Sequence, residues 1–389
     1  MQHSLAPRLR SDVAVRPFDA TEGDRRFVVA VDDRHFVVTA AVAAILEESR
    51  EPATFAGLAQ RASARLGVHV SPEQVGKLLR EQAPAVLFNA AAGQAVRGPV
   101  WLRGRVLSGA CLAPMLNWGA RLFSWRIAIV LIALLVLAEV CVAARTLGTP
   151  VSSPATHHIA AAFALTVAGV IVHELGHLAA CRRFGAHHGG MGVGLYWCFP
   201  TLYAEVHGAW LLPRMQRVVV DIGGVYFQSG YVLALGVMYL ATGADAVLGA
   251  IAWSHCLMLH TLNPVLKFDG YWLLADLTGA HNFHGWVRSI ARRTWRAVVL
   301  MEQSPLPAPR ELAVLIAFVA IAAVYFAYVL AMLGNSIAAA AAGLAHSHSS
   351  LQALASSALL GMWLVMAAGL ALLLARSLTL FAREKVDDR

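Results

Sequence analysis

The sequence predicts a mostly α fold, in which a polytopic six-helix membrane domain follows a small α+β domain. Three observations carry this. Hydrophobic residues make up 58 % of the 389 positions and charged residues only 14 %, against about 25 % charged in an ordinary globular domain. Charge is concentrated near the start: residues 1–100 hold 12 Lys/Arg and 11 Asp/Glu, while long later stretches hold almost none. Six later stretches meet or approach the roughly 20 apolar residues that a bilayer-crossing helix needs.

The first domain is expected over residues 1–95, with its elements between 15 and 90. In "RRFVVAVDDRHFVVTA" apolar and polar letters alternate around Asp32 and Asp33, the pattern of a β-hairpin. "TAAVAAILEES", "TFAGLAQRASARLG" and "SPEQVGKLLREQ" read as helices. The third opens on Ser71 as cap, Pro72 at the first helical position and Glu73 in the first turn. "AVLFNA" is expected to return as a short strand. A hairpin plus three helices is the outline of a winged helix. Many winged helices bind DNA, but 12 basic against 11 acidic residues leaves no surplus to neutralise phosphates. No nucleic acid is expected as a partner.

The segment "GDRRFVVAVDDRHFVVTAAVAAILE" resembles the PqqD-like peptide-recognition domain of ribosomal-peptide modification systems. The resemblance implies capture of a leader peptide as an added strand on the hairpin edge, near Phe27–Val29 or His35–Val38. Phe27, Val29, His35 and Val38 are therefore the recognition candidates. A purely structural domain that clamps the membrane domain is the alternative. Between the domains, Gln82 to Arg126 holds five arginines and no acidic residue, interspersed with Trp101, Trp118 and Trp125. Residues 96–126 accordingly read as a basic juxtamembrane segment anchored by anionic lipid and aromatic rings.

The membrane domain is expected over residues 127–381. Its spans are roughly Ile127–Ala144, Ile159–Cys181, Val218–Leu240, Val247–Leu266, Leu312–Leu333 and Leu354–Leu374, with a short seventh element open near Ile337–Ala345. "MQHSLAPRLRSDVAV" lacks an apolar signal core, so the amino terminus is expected in the cytoplasm. With that orientation 30 of the 31 Lys/Arg lie inside and Arg145 alone outside. The expectation is a multi-pass protein of a bacterial-type inner (cytoplasmic) membrane with both termini cytoplasmic. Cys111, Cys141, Cys181, Cys198 and Cys256 form no C-x-x-C pair and read as small apolar residues.

"IVHELGHLAACRRFG" places His173, Glu174 and His177 inside an apolar run. His173 and His177 are four apart and share a helix face, with Glu174 turned about 100° beside them. In H-E-x-x-H sites the two imidazoles bind zinc and the glutamate activates the metal's water. Three ionisable groups at membrane depth, each costing roughly 2–3 kcal/mol, require a role to offset them. A catalytic zinc has a third protein ligand, and Asp269 in "HTLNPVLKFDGYW" emerges at the same cytoplasmic level.

"HELGH", followed by "NPVLKFDGYWLLAD", resembles the site-2 protease family of membrane zinc metallopeptidases, and within it the bacterial peptide zinc metalloprotease branch. The likeness spans roughly residues 100–385 and includes "GVGLYWCFPTLYAEVHGAWLLPRMQR". It implies one zinc ion per chain on His173, His177 and Asp269, with Glu174 as general base acting near the cytoplasmic side. The family carries asparagine three residues before the proline of its D-G motif. Thr261 stands there, and Asn263 directly precedes Pro264. Either could donate to an oxyanion, an interaction worth roughly 3 kcal/mol.

Hydrolysis of a ribosomally made peptide or a membrane-associated substrate is the implied activity, with peptide-modification or export proteins as further partners. The alternative is a catalytically impaired peptide-binding or export partner that keeps the zinc scaffold. Other polar positions read plainly. Asp221 is expected to pair with Arg217 four residues earlier, Glu139 to reach the interface, and His255 and His260 to pack. His157, His158, His187, His188, His281, His284, His346 and His348 read as solvated loop residues.

Overall fold

The computed structural model describes residues 5–18, 26–32, 34–88, 100–147, 156–196, 199–299, 301, 306–345 and the isolated positions 357, 360, 361 and 364. The chain divides into two compact units, Met1–Arg288 and Ser289–Arg389.

The first unit opens with an antiparallel sheet, β1 (Ala14–Phe18), β2 (Arg26–Val31) and β3 (Arg34–Thr39), in the order β1-β2-β3. The expected hairpin is β2–β3, paired Phe27 to Val38 and Val29 to Phe36. Its turn places Asp32 at φ 51°, a left-handed conformation that aspartate tolerates better than most residues. Helix α1 (Ala40–Glu48) leaves β3 directly, capped by the Thr39 hydroxyl on Val42 N–H. Thr54 caps α2 (Phe55–Leu66), and Gly67 ends it at φ 67°. Ser71 and Gln74 form a reciprocal capping box on α3 (Pro72–Gln82), with Pro72 in its first turn. Val29, Ile45, Leu58, Val75 and Leu87 close one core beneath the sheet.

The expected strand at "AVLFNA" is instead a 3-10 turn over Ala85–Leu87. Pro84 cannot donate to a ladder; its carbonyl accepts from Leu87 N–H, and the Leu87 carbonyl is taken by Arg10 N–H. Strand β1 was not anticipated, because "AVRPF" has a proline and no clean alternation.

The basic segment is more structured than an interfacial anchor. Val100–Leu107 forms β4, which joins β5 (Met191–Tyr196) and β6 (Phe199–Ala204) in a second antiparallel sheet. Arg105 on β4 pairs with Glu205 at 2.7 Å. Gly109–Gly119 forms α4, whose Leu112 and Leu116 pack on Leu178.

Helices α5 (Trp125–Thr146), α6 (Thr156–Arg183), α7 (Arg214–Thr242) and α11 (Pro309–Ala345) contain the four stretches long and apolar enough to cross a bilayer among the described residues. The expected fourth span becomes α8 (Asp245–Thr261), 17 residues that stop short of Leu266. At 1.5 Å per residue it is about 26 Å long, and Asn263-Pro264 ends it. The sixth expected span lies almost wholly outside the described residues, so six spans are not established. No separate seventh element exists at Ile337–Ala345, because α11 runs through it. Cys198, His346 and His348 lie outside the described residues, as does the side chain of His157.

α9 (Asp269–Thr278) and α10 (Phe283–Val298) follow α8. In the second unit Arg293 pairs with Glu311 at 2.9 Å.

The amino-terminal sheet meets the rest of its unit through aromatic rings. His35 on β3 stacks on Trp210 at 4.1 Å, and Trp210 meets Trp272 of α9 edge-on at 5.4 Å. Burial pushes the His35 imidazole down to about 4, with the nearby His207 charge adding to it. A histidine whose folded value lies below its ordinary 6.5 stabilises the fold above pH 6.5, and that contribution is lost as pH falls toward 4. Detergent-solubilised protein is expected to lose on the order of 2 kcal/mol of seam stability between pH 7 and pH 4.5. A His35→Phe variant, which keeps the stack, should lose less. Equal pH dependence of Trp fluorescence and unfolding in both proteins would refute this.

Candidate metal centre

α6 presents His173 and His177 from successive turns, 5 % and 8 % exposed. α9 begins on Asp269 and brings its carboxylate to them. Asp269 Oδ2 lies 2.8 Å from His173 Nε2 and 3.4 Å from His177 Nε2, and the two Nε2 atoms are 3.2 Å apart. The H-E-x-x-H pair and the D-G aspartate, 92 residues beyond His177 in the chain, thus converge.

The far side of each ring decides what that convergence means. His177 Nδ1 donates to the Val220 carbonyl at 2.8 Å, and His173 Nδ1 lies 2.9 Å from Gln228 Oε1. With protons on both Nδ1 atoms, each Nε2 presents a lone pair. Two lone pairs and a carboxylate then face one another in a buried space. A shared proton could satisfy one imidazole and Asp269 but would leave the third acceptor opposed. A divalent cation satisfies all three. Donors around zinc at 2.0–2.1 Å stand about 3.3 Å apart in a tetrahedron, close to the separations seen.

Space for an ion is made by α7. Gly224 faces the pair, and a Cβ there would overlap Nε2 of both histidines. One residue earlier, α6 and α7 touch through backbone: a Cβ on Gly176 would run into the Gly223 carbonyl, and one on Gly223 into Gly176. Any side chain at these glycines would push α7 away and take Val220 and Gln228 with it. The donor set and its cradle fit zinc.

Glu174 is half-buried beside the cluster, with its carboxylate near the Ala204 amide at the end of β6. The oxyanion candidates each make one local bond, which engages the Thr261 donor and only the acceptor oxygen of Asn263. Thr261 Oγ1 donates to the Met258 carbonyl at 3.1 Å, and Asn263 Oδ1 accepts from Val265 N–H at 2.9 Å. Both build the turn that carries the chain from α8 to Asp269. His284 buttresses it, donating from Nε2 to the Pro264 carbonyl at 2.8 Å. Half-buried His284 is therefore a structural residue and not a solvated one.

Other expectations are revised. Arg217 bonds Asp276 of α9, Nε to Oδ1 at 2.8 Å, and not Asp221. The fork of a buried guanidinium reaches across to a neighbouring helix more readily than along its own. Glu139 and His255 face each other at 3.4 Å between α5 and α8. Phe27 and Val29 lie on β2, which is flanked on both sides and offers no edge for an added strand. Val29 and Val38 are core residues. His35 stands on the edge strand β3, with its ring on Trp210.

Sequence reasoning missed Gln228, the Val220 carbonyl and Gly224. Gln228 had a signal, a lone amide in the apolar run "VYFQSGYV"; a backbone carbonyl has none.

The fold and this cluster define a helical membrane-type protein with a buried His-His-Asp donor set. Over 110 residues, 28 % of its length, the chain is 26 % identical to the "Putative peptide zinc metalloprotease protein YydH" of Bacillus subtilis (strain 168). The match spans 44 % of that relative. This similarity supports a zinc metalloprotease family. No protein-family signature matches the chain, and no solved structure matches it.

Purified protein is expected to hold about one zinc, lost in His173→Ala and Asp269→Ala. Gln228→Leu should keep the ion but weaken it by about 10–100-fold, as removal of an orienting partner does. Metal analysis after dialysis against graded chelator reads this. Unchanged retention in Asp269→Ala would exclude Asp269 as a ligand.

Proposed function

We propose that this protein is a membrane zinc metalloendopeptidase of site-2 protease type. The observation that carries the reading is the convergence of His173, His177 and Asp269 in a buried space with the Glu174 carboxylate beside it. Similarity to the metalloprotease-named relative points the same way. Zinc held by His173, His177 and Asp269 would supply a Lewis acid that polarises a peptide carbonyl and acidifies water. The chain's own residues do the rest. Gln228 and the Val220 carbonyl fix the imidazole rings so that both Nε2 atoms face inward. Glu174 takes a proton from the attacking water and returns it to the departing amine. The Ala204 amide holds that carboxylate in place between the two transfers.

The substrate we infer is a ribosomally made peptide, or a membrane-associated one, entering as an extended chain. The amino-terminal sheet and helices, in the PqqD-like reading, present that peptide through edge strand β3. The same reading keeps six spans, both termini in the cytoplasm and the centre near the cytoplasmic side of a bacterial inner membrane. Peptide-modification or export proteins are the expected partners, and nucleic acid is not.

One observation favours a second reading, a peptide-binding or export partner without turnover. The Thr261 hydroxyl, at the position the resemblance assigns to asparagine, is taken up by Met258. Glu174→Gln separates the two. Hydrolysis of a peptide library in proteoliposomes should fall by about 10²–10⁴-fold while zinc content and peptide affinity persist. If the biological activity survives the substitution intact, the non-hydrolytic reading replaces the first.

A further inference from the structure

Beside the metal centre, a cavity of about 110 Å³ is lined by Phe18, Trp210, Arg217, Asp221, Trp272 and Asp276, among others. We propose that this cavity is a subsite for a primary ammonium group of the peptide, a proposal that rests on the peptidase reading above.

Charge is the first argument. Two carboxylates, Asp221 and Asp276, share the cavity with the Arg217 guanidinium and the His281 imidazole, and the guanidinium is turned to Asp276. Arg217 gives Nε to Asp276 Oδ1 at 2.8 Å and Nη1 to the Leu212 carbonyl at 3.0 Å, and its Nη2 stands 2.6 Å from the same carboxylate oxygen as an ion pair. Its flat face lies 4.4 Å over the Phe18 ring. Asp221 Oδ2 has no exposed surface and no hydrogen-bond partner. A buried carboxylate oxygen left so is costly and calls for an occupant. A proton shared between Asp221 and Asp276 is the competing way to neutralise the pair.

The walls select the kind of cation. Phe18, Trp210 and Trp272 offer aromatic surface, which attracts a weakly hydrated organic ammonium. A divalent metal would keep its water and meet the Arg217 charge. The volume equals three or four waters at about 30 Å³ each, room for the end of a lysine stem. The rim residues Trp210 and Trp272 are half-buried, so the space is reached from outside.

Position ties the cavity to the chemistry. Asp269 and Asp276 are seven residues apart on α9, on one face and about 10 Å apart along it. An extended peptide covers that in about three residues. On α7, Asp221 follows Val220, whose carbonyl holds His177. The subsite therefore reads a position about three residues from the scissile bond.

The test uses the full chain in detergent and three probes: Nα-acetyl-lysine methylamide, glycine methylamide and Nα-acetyl-norleucine methylamide. The first carries a side-chain ammonium, the second a chain-terminal one and the third none. Calorimetric titration should show saturable binding of one ammonium probe, and which one identifies the source. Asp221→Asn should weaken it by about tenfold or more at unchanged zinc content. Equal binding of the norleucine probe, or undiminished affinity in Asp221→Asn, overturns the proposal in favour of a shared proton. If Asp221→Asn does not fold, Ala275→Leu, which fills the cavity from α9, must abolish binding, and persistence overturns it. Ammonium binding by a parent that takes up no zinc would support the cavity while refuting the peptidase.

Discussion

The structure depends on one constraint: three electron-pair donors, two imidazole Nε2 atoms and a carboxylate oxygen, held within hydrogen-bonding range where no proton can serve all of them. Everything nearby enforces this arrangement. The Val220 carbonyl and Gln228 fix the far side of each ring, so neither imidazole can turn its lone pair elsewhere. The helix crossing at Gly176 and Gly223 brings α7 close enough for those contacts, and Gly224 leaves the hollow into which the donors point. An apolar surrounding makes the opposed donors expensive without a cation, and for the same reason strengthens whatever cation they hold.

Asp269 reaches this place through a turn that ends α8. Irregular backbone in a buried place needs partners for its polar groups inside the protein, and here the turn has them. Thr261 returns its hydroxyl to α8, the Asn263 side chain bonds Val265 N–H, and His284 takes the Pro264 carbonyl. Residues that look like catalytic auxiliaries by spacing thus also fasten the turn that carries Asp269. Loosening the turn would move Asp269, and a displacement of about 1 Å is enough to impair such a site.

The sequence made the metal cluster legible because its letters are rare in apolar context. His173, Glu174, His177 and Asp269 stand out against their surroundings, and a helix of known pitch says which of the first three share a face. Helix ends with side-chain caps were equally plain, as at Ser71. What stayed hidden depends on tertiary partners. Arg217 looked paired with Asp221 because four residues is one turn, yet the buried guanidinium found Asp276 on another helix. Residues 100–107 looked like a basic anchor, since nothing local reveals that "MGVGLY", 91 positions from Val100 to Met191, will pair with them. Phe27 and Val29 looked like an open edge until β1, masked by its proline, closed it.

Helix α7 joins these levels. Arg217, Asp221, Gly224 and Gln228 recur at i, i+4, i+7 and i+11, the spacing of a single helix face. On an otherwise apolar helix this stripe is polar at three positions and bare at the fourth. Its middle and distal members, Gly224 and Gln228, shape the donor cluster. Its proximal members, Arg217 and Asp221, line the cavity beneath Phe18 of the amino-terminal sheet. A rigid helix cannot move one end of such a stripe and leave the other still. Whatever settles against Asp221 therefore bears on Val220 and the ring of His177. Because α9 carries Asp276 and Asp269 on one face, the same occupant is felt at the third donor by a second path. Two helices linking one cavity to one cluster provide a physical basis for coupling what enters the seam to the geometry of the donor cluster.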